Sequence, residues 1–177
     1  YWFEQAANGG VANAAYNLGV LNHQGLGLDQ DMDKAIGWYT RAAELGHPEA
    51  QYNLGIAYIE GIGVPYDATK AATYFENAAA NNIMEAAYNL GLIYENGLLG
   101  DAKPDKALYW YKKAADQGSP EAGQALRQLA RSLDISLDEV NALADSVAPK
   151  TQEQASTATQ APASIGTAQN IGDNQAI

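Results

Sequence analysis

The sequence predicts an all-α protein built as a stack of helix hairpins, and three observations support this prediction. Alanine, the strongest helix former and the smallest side chain that still packs, accounts for 34 of the 177 residues. Apolar and aromatic residues recur at a fixed step of 36 positions. Within each step, two apolar patterns of helical period are separated by a glycine-rich connection, as expected for a hairpin of two helices.

The 36-residue step continues without insertion or deletion from Trp2 to Leu126. It relates leucine, alanine, glycine and aromatic columns alike: Leu18, Leu54, Leu90 and Leu126; Ala14, Ala50, Ala86 and Ala122; Gly19, Gly55 and Gly91; Trp2, Trp38, Tyr74 and Trp110. A period of this length is typical of helical repeats, in which each hairpin buries its apolar face against its neighbours. We therefore expect a solenoid over 1–131.

The period also predicts the individual elements. A partial repeat spans 1–12, complete repeats span 13–48, 49–84 and 85–120, and a terminal helix spans 120–131. First helices are expected over about 13–24, 49–60 and 85–96, and second helices over about 31–45, 67–81 and 104–117. Ser119 is a predicted N-cap, and Gly46 and Gly118 suit the left-handed residue after a second helix. Glycine or alanine opposite an aromatic residue should let the two helices of a hairpin approach closely.

Beyond Arg131 the period ends, although apolar residues continue to Val147. Ser136 and Glu139 are spaced as a capping box, which predicts one more helix. We expect this helix, within 132–148, to cover the stacking face that the last repeat would otherwise expose. The segment 149–177 is poor in aromatic and charged residues and is predicted to be a disordered tail.

Charge and composition exclude several functions. The net charge is -11, and 19 acidic against 9 basic residues lie within 1–147, so a nucleic acid partner is not expected. The absence of cysteine excludes disulfides, thiolate zinc sites and cysteine nucleophiles. The two histidines lie in different hairpins, and no metalloprotease, phosphate-loop or nucleophile-elbow motif occurs. We therefore expect no catalytic residue, no metal site, no cofactor and no membrane span in this chain.

The repeat motif itself resembles a known family. The segment 52–58 (YNLGIAY), the loop 61–64 (GIGV), and Asp67, Tyr74 and Phe75 resemble the Sel-one-like repeat (SLR) family, relatives of the tetratricopeptide repeats, and the resemblance covers Tyr1 to about Arg131. It implies a right-handed α-solenoid that acts as a non-catalytic adaptor or scaffold, commonly in bacterial envelope and signalling pathways. The sequence departs from the pattern at Asn22, Asn82 and Arg127, and Arg127 in place of the repeat glycine suggests that the solenoid stops there.

Helical geometry at 100° per residue separates two stripes on each first helix. Ala14, Leu18 and Leu21 are predicted to face the partner helix, and Tyr16 and its neighbours point the other way. In tetratricopeptide-type solenoids the first helices line the concave groove, so the resemblance implies a protein-binding surface there. The candidate residues are Tyr16, Asn17, Val20, His23, Tyr52, Asn53, Ile56, Ile59, Tyr88, Asn89, Leu92 and Glu95.

Packing offers an alternative role for several candidates. The repeated tyrosines either pack between units or face a ligand, and the repeated asparagines either bond backbone groups between units or contact a ligand. The column of Trp38, Tyr74 and Trp110 is expected to serve core or outer-face packing. His23, Ile59 and Glu95 differ between units, which favours them as ligand contacts.

The sequence therefore favours a non-catalytic scaffold that binds a peptide or helix of a protein partner with a neutral or basic surface. The expected compartment is the periplasm or cell envelope, with the cytoplasm as the alternative. A second hypothesis is a regulatory or polar-localisation segment of a larger envelope protein whose activity lies upstream of Tyr1. The sequence begins within a repeat unit, and this favours the second hypothesis.

Overall fold

Eight α-helices and no strand are present in the computed structural model, which describes residues 2–26 and 30–148. Their bounds are α1 Trp2–Gln24, α2 Met32–Glu44, α3 Pro48–Glu60, α4 Ala68–Ala80, α5 Met84–Glu95, α6 Pro104–Asp116, α7 Pro120–Ser132 and α8 Leu137–Val147. Neighbouring helices along the chain pack as hairpins, and each hairpin packs on the next. The predicted tail over 149–177 lies outside the described residues.

Side-chain caps determine where most helices begin. Asp31 and Asp67 accept hydrogen bonds from the backbone N–H groups at the third positions of α2 and α4. His47 and Ser119 do the same for α3 and α7, each followed by a proline at the first helical position. Proline costs no hydrogen bond there, because the first N–H groups of a helix have no intrahelical acceptor. The predicted N-cap at Ser119 is therefore confirmed.

Left-handed residues reverse the chain after the second helices. Gly46 and Gly118 have φ values of 85° and 104°, and Asn82, which replaces the glycine of this column, has a φ of 65°. Asparagine tolerates this conformation better than other residues with a β-carbon. The departure at Asn82 therefore preserves the turn.

In each of the three complete hairpins, a glycine of the first helix packs under an aromatic ring of the second helix. Gly19, Gly55 and Gly91 of the first helices lie against Tyr39, Phe75 and Tyr111 of the second helices. A β-carbon on Gly19 would lie 2.6 Å from the Tyr39 ring, and one on Gly55 would lie 2.5 Å from the Phe75 ring. These distances are shorter than any real carbon–carbon contact, so only glycine permits the observed approach. The predicted close packing of glycine against an aromatic residue is confirmed.

The leucine column serves a different contact from the one predicted. Leu54 and Ala50 are fully buried in a cluster with residues of α2, the second helix of the preceding unit. Leu90 and Ala86 are buried in the same way, in a cluster that contains residues of α4. This column therefore stacks consecutive units, whereas the glycine column faces the partner helix of the same hairpin.

The same column explains the exposure seen on α1. Ala14 is exposed, and Leu18 and Leu21 are each 37% exposed, although Leu54 is fully buried. No helix precedes α1 in the part of the chain that the structure describes, so the stacking stripe of α1 has no neighbour there. The prediction that Ala14, Leu18 and Leu21 face the partner helix is therefore wrong.

α1 is also longer than expected. The sequence predicts a partial second helix before residue 10 and a new first helix from about residue 13, but α1 continues through both. Val11 and Ala12 occupy the positions at which His47 and Pro48 begin α3. Valine offers no capping side chain and Ala12 is not a proline, so nothing in the sequence stops the helix. Gly10 accordingly keeps a helical conformation.

α8 confirms the predicted capping box. The Ser136 hydroxyl oxygen accepts from the Glu139 backbone N–H, and the Glu139 carboxylate accepts from the Ser136 backbone N–H. Val140 and Ala144 are buried against the core, and α8 packs mainly on α6. Arg127 occupies the place of the repeat glycine in α7, so α7 cannot form the close glycine contact with the following helix. The regular hairpin geometry therefore ends with α7.

The N-cap of α3 makes the stability of the fold depend on pH. Burial lowers the pKa of His47 below its usual 6.5, although the nearby Glu49 carboxylate opposes this shift, and the neutral ring accepts the Ala50 N–H. The unfolded chain binds a proton near pH 6.5 more readily than the folded chain does. The contribution of His47 to the stability of the fold is therefore fully present above this pH, and it is lost as the pH falls toward the pKa of the folded state.

The matched variant for this prediction is His47→Asn, because asparagine is also a good N-cap and does not titrate. Between about pH 8 and pH 5, we expect the melting temperature of the wild type to fall more than that of His47→Asn. Circular dichroism melts at several pH values would measure both slopes. Parallel slopes would show that His47 is not the titrating group.

Candidate protein-binding surface

Aromatic pairs follow the first helices and repeat in every unit. The ring centroids of Tyr16 and Tyr39 lie 5.8 Å apart, those of Tyr52 and Phe75 5.8 Å, and those of Tyr88 and Tyr111 5.7 Å, all in tilted arrangements. Tyr16 also stacks on the ring of His47 at 4.3 Å. The three tyrosines of the first helices are half-buried. Each therefore has one side packed within its unit and the rest at the surface.

The residue seven positions after each of these tyrosines is polar where the opposite aromatic residue carries a hydroxyl, and apolar where it does not. His23 Nδ1 lies 3.3 Å from the Tyr39 hydroxyl, and Glu95 Oε2 accepts a 2.5 Å hydrogen bond from the Tyr111 hydroxyl. Phe75 has no hydroxyl, and in that unit the position is occupied by Ile59, which packs against the apolar cluster. Polar residues thus occur where a hydroxyl needs a partner. This internal pairing accounts for the variety at His23, Ile59 and Glu95, which the sequence alone attributes to ligand contact.

The tyrosines opposite these residues titrate far from the physiological range. Burial, followed by the influence of Tyr16, raises the pKa of Tyr39. Burial, followed by the hydrogen bond to Glu95, raises the pKa of Tyr111 well above its usual value of 10. Both hydroxyls therefore keep their protons at neutral pH; the Tyr111 hydroxyl donates to Glu95, and the Tyr39 hydroxyl pairs with His23 Nδ1 in a direction set by the tautomer of the ring.

Two of the repeated asparagines affect tyrosine hydroxyls of the preceding unit. The Asn53 side chain interacts with the Tyr39 hydroxyl of the preceding unit, and this interaction partly offsets the raised pKa of that tyrosine. Asn89 interacts instead with the Tyr52 hydroxyl, which belongs to the first helix of the preceding unit. Asn17 is exposed, whereas Asn53 and Asn89 are half-buried. Asn53 and Asn89 thus affect tyrosine hydroxyls of the preceding unit, and the choice between packing and ligand contact for these asparagines stays a prediction.

The apolar candidates lie at the edge of the core. Ile56, Ile59 and Leu92 are half-buried and pack against the larger apolar cluster, and Val20 packs against the smaller one. The exposed candidates are Asn17, His23 and Glu95. The predicted residues therefore form a mixed surface of half-buried apolar and aromatic side chains with a few exposed polar groups.

One pocket lies within this surface, between the first and second units. It has a volume of about 160 Å³, and the candidates His23, Asn53 and Ile56 line it together with Ile36 and Ala57. Ala57 occupies the register position that Ile93, a buried residue, holds in the next unit. The shorter side chain leaves room between α1, α2 and α3. Of the predicted residues, the pocket thus brings together His23 from the first unit with Asn53 and Ile56 from the second.

Sequence reasoning missed a second depression, which the second helices form with α8. Its lining includes Glu76, Tyr94, Lys106, Trp110 and Lys113, and its volume is about 440 Å³. The sequence predicts Trp110 only as a packing residue, and its side chain is indeed only 7% exposed. The overlooked signal is the concentration of four of the ten basic residues within 103–113 of an acidic chain.

The column that contains Trp110 differs between units. Tyr74 stacks on Tyr58 with ring centroids 5.7 Å apart, whereas Trp38 is 39% exposed. Packing therefore accounts for Tyr74 and Trp110 but only partly for Trp38. Over residues 2–26 and 30–148, no group of three or more histidine, aspartate or glutamate side chains is arranged to hold a metal ion. None of the described helices is both long enough and apolar enough to cross a bilayer.

Comparison with known proteins agrees with this architecture. The pattern described as Sel1 repeat matches residues 1–11, 12–47, 48–83 and 85–119, about two thirds of the chain. A solved Sel1 repeat protein from Oxalobacter formigenes is 28% identical with a TM-score of 0.66, over 71% of this chain and 52% of that one. Among curated proteins, no relative matches significantly.

A second solved structure is c5321, described as a protective antigen present in uropathogenic Escherichia coli strains displaying an SLR fold. It is 29% identical with a TM-score of 0.68, over 82% of this chain and 32% of that one. The chain thus spans about half the length of the Oxalobacter formigenes protein and about a third of the length of c5321. The repeat match, the structural likeness and the stacked hairpins lead to one conclusion: the chain belongs to the Sel1 repeat family, whose members generally act as protein–protein interaction scaffolds.

Proposed function

We propose that this chain is a non-catalytic scaffold that binds a peptide or a helix of a protein partner on the surface formed by its first helices. The observation that carries the proposal is the 160 Å³ pocket between the first two units, which is open between half-buried apolar residues. A pocket of this size accepts one apolar side chain, and anchors of this kind contribute most of the binding energy in peptide recognition.

Charge supports a partner with a neutral or basic surface. Glu60 lines the pocket, and Glu95 is exposed on the corresponding turn of the next first helix. The acidic surplus within 1–147 surrounds these groups with a negative field. A partner segment with one apolar anchor and lysine or arginine beside it would be attracted, whereas an acidic segment would be repelled.

We also propose that the scaffold acts in the periplasm or cell envelope of a bacterium. Both solved relatives described above come from bacteria, and one is described as a protective antigen. A chain without cysteine folds equally well under oxidising conditions. Fractionation of cells that express the full-length protein, with compartment markers, would test the location; recovery with the cytoplasmic marker alone would contradict it.

The binding surface can be tested with peptides selected from a random displayed library against the wild-type chain. We expect the selected peptides that bind at this pocket to carry an apolar anchor without net negative charge. Ala57→Ile fills the pocket and should weaken their binding by about tenfold or more, because the anchor loses its place. Calorimetry or fluorescence anisotropy would measure the change.

The matched control is Thr73→Ala, an exposed position on α4. This variant should bind the selected peptides as the wild type does. Melting curves of both variants should stay within a few degrees of the wild type, because Ala57→Ile adds atoms to an open pocket. Undiminished binding to Ala57→Ile would show that the pocket is not the anchor site.

A further inference from the structure

The depression missed by sequence reasoning, here called the outer cleft, lies away from the 160 Å³ pocket described above. It is formed by α4, the last turn of α5, α6 and the end of α8, and its lining includes Glu76, Tyr94, Lys106, Trp110, Lys113 and Val147. Its residues belong to the second and third units and to α8, whereas the pocket is lined by the first and second units. The two sites therefore share no residue and can act independently.

Two lysines lie over the aromatic floor of the outer cleft. The Lys106 ammonium lies 5.2 Å from the centroid of the Tyr94 ring, and the Lys113 ammonium lies 5.2 Å from the centroid of the Trp110 ring. Tyr94 and Trp110 are 8% and 7% exposed, so the rings are fixed by packing. Cation–π contacts of this kind hold a flexible lysine in place while leaving its hydrogen-bond donors free.

The repeat register shows that one of these lysines, Lys106, has lost the partner that its column has in the other units. In the first unit the Lys34 ammonium pairs with Asp31 at 3.1 Å, and in the second the Lys70 ammonium pairs with Asp67 at 4.0 Å. In the third unit the lysine column continues with Lys106, but the aspartate column is replaced by Lys103. Among the residues that the structure describes, neither Lys106 nor Lys113 forms an ion pair.

The replacement also carries a local cost. Asp31 and Asp67 cap their helices, but Lys103 provides no side-chain cap at the start of α6. A positive charge at a helix N-terminus opposes the helix dipole. The third unit therefore lacks both a cap and an ion pair that the other units have, and the Lys106 ammonium is left without the aspartate of its column.

We propose that the outer cleft binds an acidic peptide segment of a partner protein. Its carboxylates would pair with Lys106 and Lys113, and an adjacent apolar side chain would lie against Trp110 and Val147. The charges complement each other, because two lysines and only one acidic residue, Glu76, line the cleft. The volume of about 440 Å³ suits a few side chains.

An extended polyanion fits less well. The chain has 19 acidic and 9 basic residues within 1–147, so a nucleic acid or an anionic membrane would meet a repulsive field outside the cleft. A short acidic segment presents its charge only where the lysines lie. Glu76, which also lines the cleft, limits the number of carboxylates that can be accommodated.

A fluorescently labelled peptide of about four alternating glutamate and leucine residues is a suitable probe, because it would span about 14 Å if extended and its two glutamates match the two lysines of the cleft. We expect fluorescence anisotropy to show that it binds the full chain, and that the same peptide with glutamine in place of glutamate does not. Lys106→Ala and Lys113→Ala should each weaken binding about fivefold, and raising the salt concentration should also weaken it.

Two further variants make the test specific. Lys70→Ala removes a lysine with the same geometry over Tyr58, at 5.2 Å, but one that is already paired with Asp67, so binding should be unchanged. Glu76→Gln removes the negative charge in the cleft and should strengthen binding. Melting curves would confirm that each variant is folded.

Several results would overturn the proposal. These are no binding of the glutamate peptide, equal binding of the glutamine peptide, an equal loss in Lys70→Ala, or weaker binding to Glu76→Gln. Binding to vesicles of anionic lipid or to single-stranded DNA without binding to the peptide would also overturn it. None of these outcomes depends on the pocket between the first two units, so the two proposals can fail separately.

Discussion

Phe75→Ala is expected to lower the free energy of unfolding by about 3–5 kcal/mol, the usual cost of removing a fully buried phenylalanine. Phe75 is 0% exposed and lies at the contact between α3 and α4, where its ring covers Gly55. The ring also supports Tyr52, which packs against it at 5.8 Å. Loss of the ring therefore opens a cavity and removes the support of a surface residue. Urea denaturation followed by circular dichroism would measure the change.

A second substitution tests whether the ring and the glycine act together. In the wild type, Gly55→Ala should cost about 1–3 kcal/mol, because the new β-carbon would collide with Phe75. In the Phe75→Ala background the collision is absent, and Gly55→Ala should stabilise α3 by about 1 kcal/mol through its better helix propensity. The sign of the effect thus reverses.

The control for this cycle is Thr73→Ala, an exposed residue on the same helix as Phe75. Its effect should be within about 0.5 kcal/mol of zero in both backgrounds. If Gly55→Ala costs the same with and without Phe75, the ring is not what limits the approach of the two helices.

Val140→Asp is expected to release α8 from the solenoid. Val140 is 1% exposed within the cluster that joins α8 to α6, so aspartate would place an unpaired charge in an apolar contact. We expect a loss of about 2–4 kcal/mol of docking energy, and hydrogen exchange should show that amides of α8 lose protection while those of α3 to α6 keep theirs.

Leu137→Asp is the matched control for α8. Leu137 lies on the same helix but is 57% exposed, and aspartate in the first turn favours the helix dipole. This variant should keep the protection of α8 close to that of the wild type. If Val140→Asp also leaves α8 protected, the helix is held by contacts other than those of its buried face.

The repeat period predicted the hairpins because it relates residues that make the same contact in every unit. Gly55 and Phe75 could be paired from the sequence, since a glycine in mid-helix destabilises the helix and recurs in every unit only where a close approach requires it. The role of Leu54 could not be assigned correctly. Helical periodicity separates the faces of a helix, but it does not tell which of several neighbouring helices covers each face. The continuous α1 was missed for a related reason, because the repeat register predicted a partial repeat over 1–12 and a separate first helix from about residue 13, and no capping residue supports that break.

The candidate surface was predicted in outline and not in its contacts. The stripe of tyrosines and apolar residues does lie at the edge of the core, but the partners of His23 and Glu95 depend on the hydroxyl groups of α2 and α6. Those pairs lie 16 residues apart, and only the folded hairpin brings them together. The outer cleft depends on α8, whose packing on α6 lies outside the repeat and could not follow from it.

The matching of each hydroxyl to a polar residue also bears on how such arrays can evolve. Both members of each pair, His23 with Tyr39 and Glu95 with Tyr111, belong to one hairpin, so a duplication or deletion of a whole unit leaves each of these two hydroxyls with its partner. A crossover inside a hairpin would instead place an isoleucine opposite a tyrosine. The buried hydroxyl would then lack a hydrogen-bond partner, which costs about 1–3 kcal/mol of stability. Recombination is therefore tolerated at the boundaries between units and penalised within them.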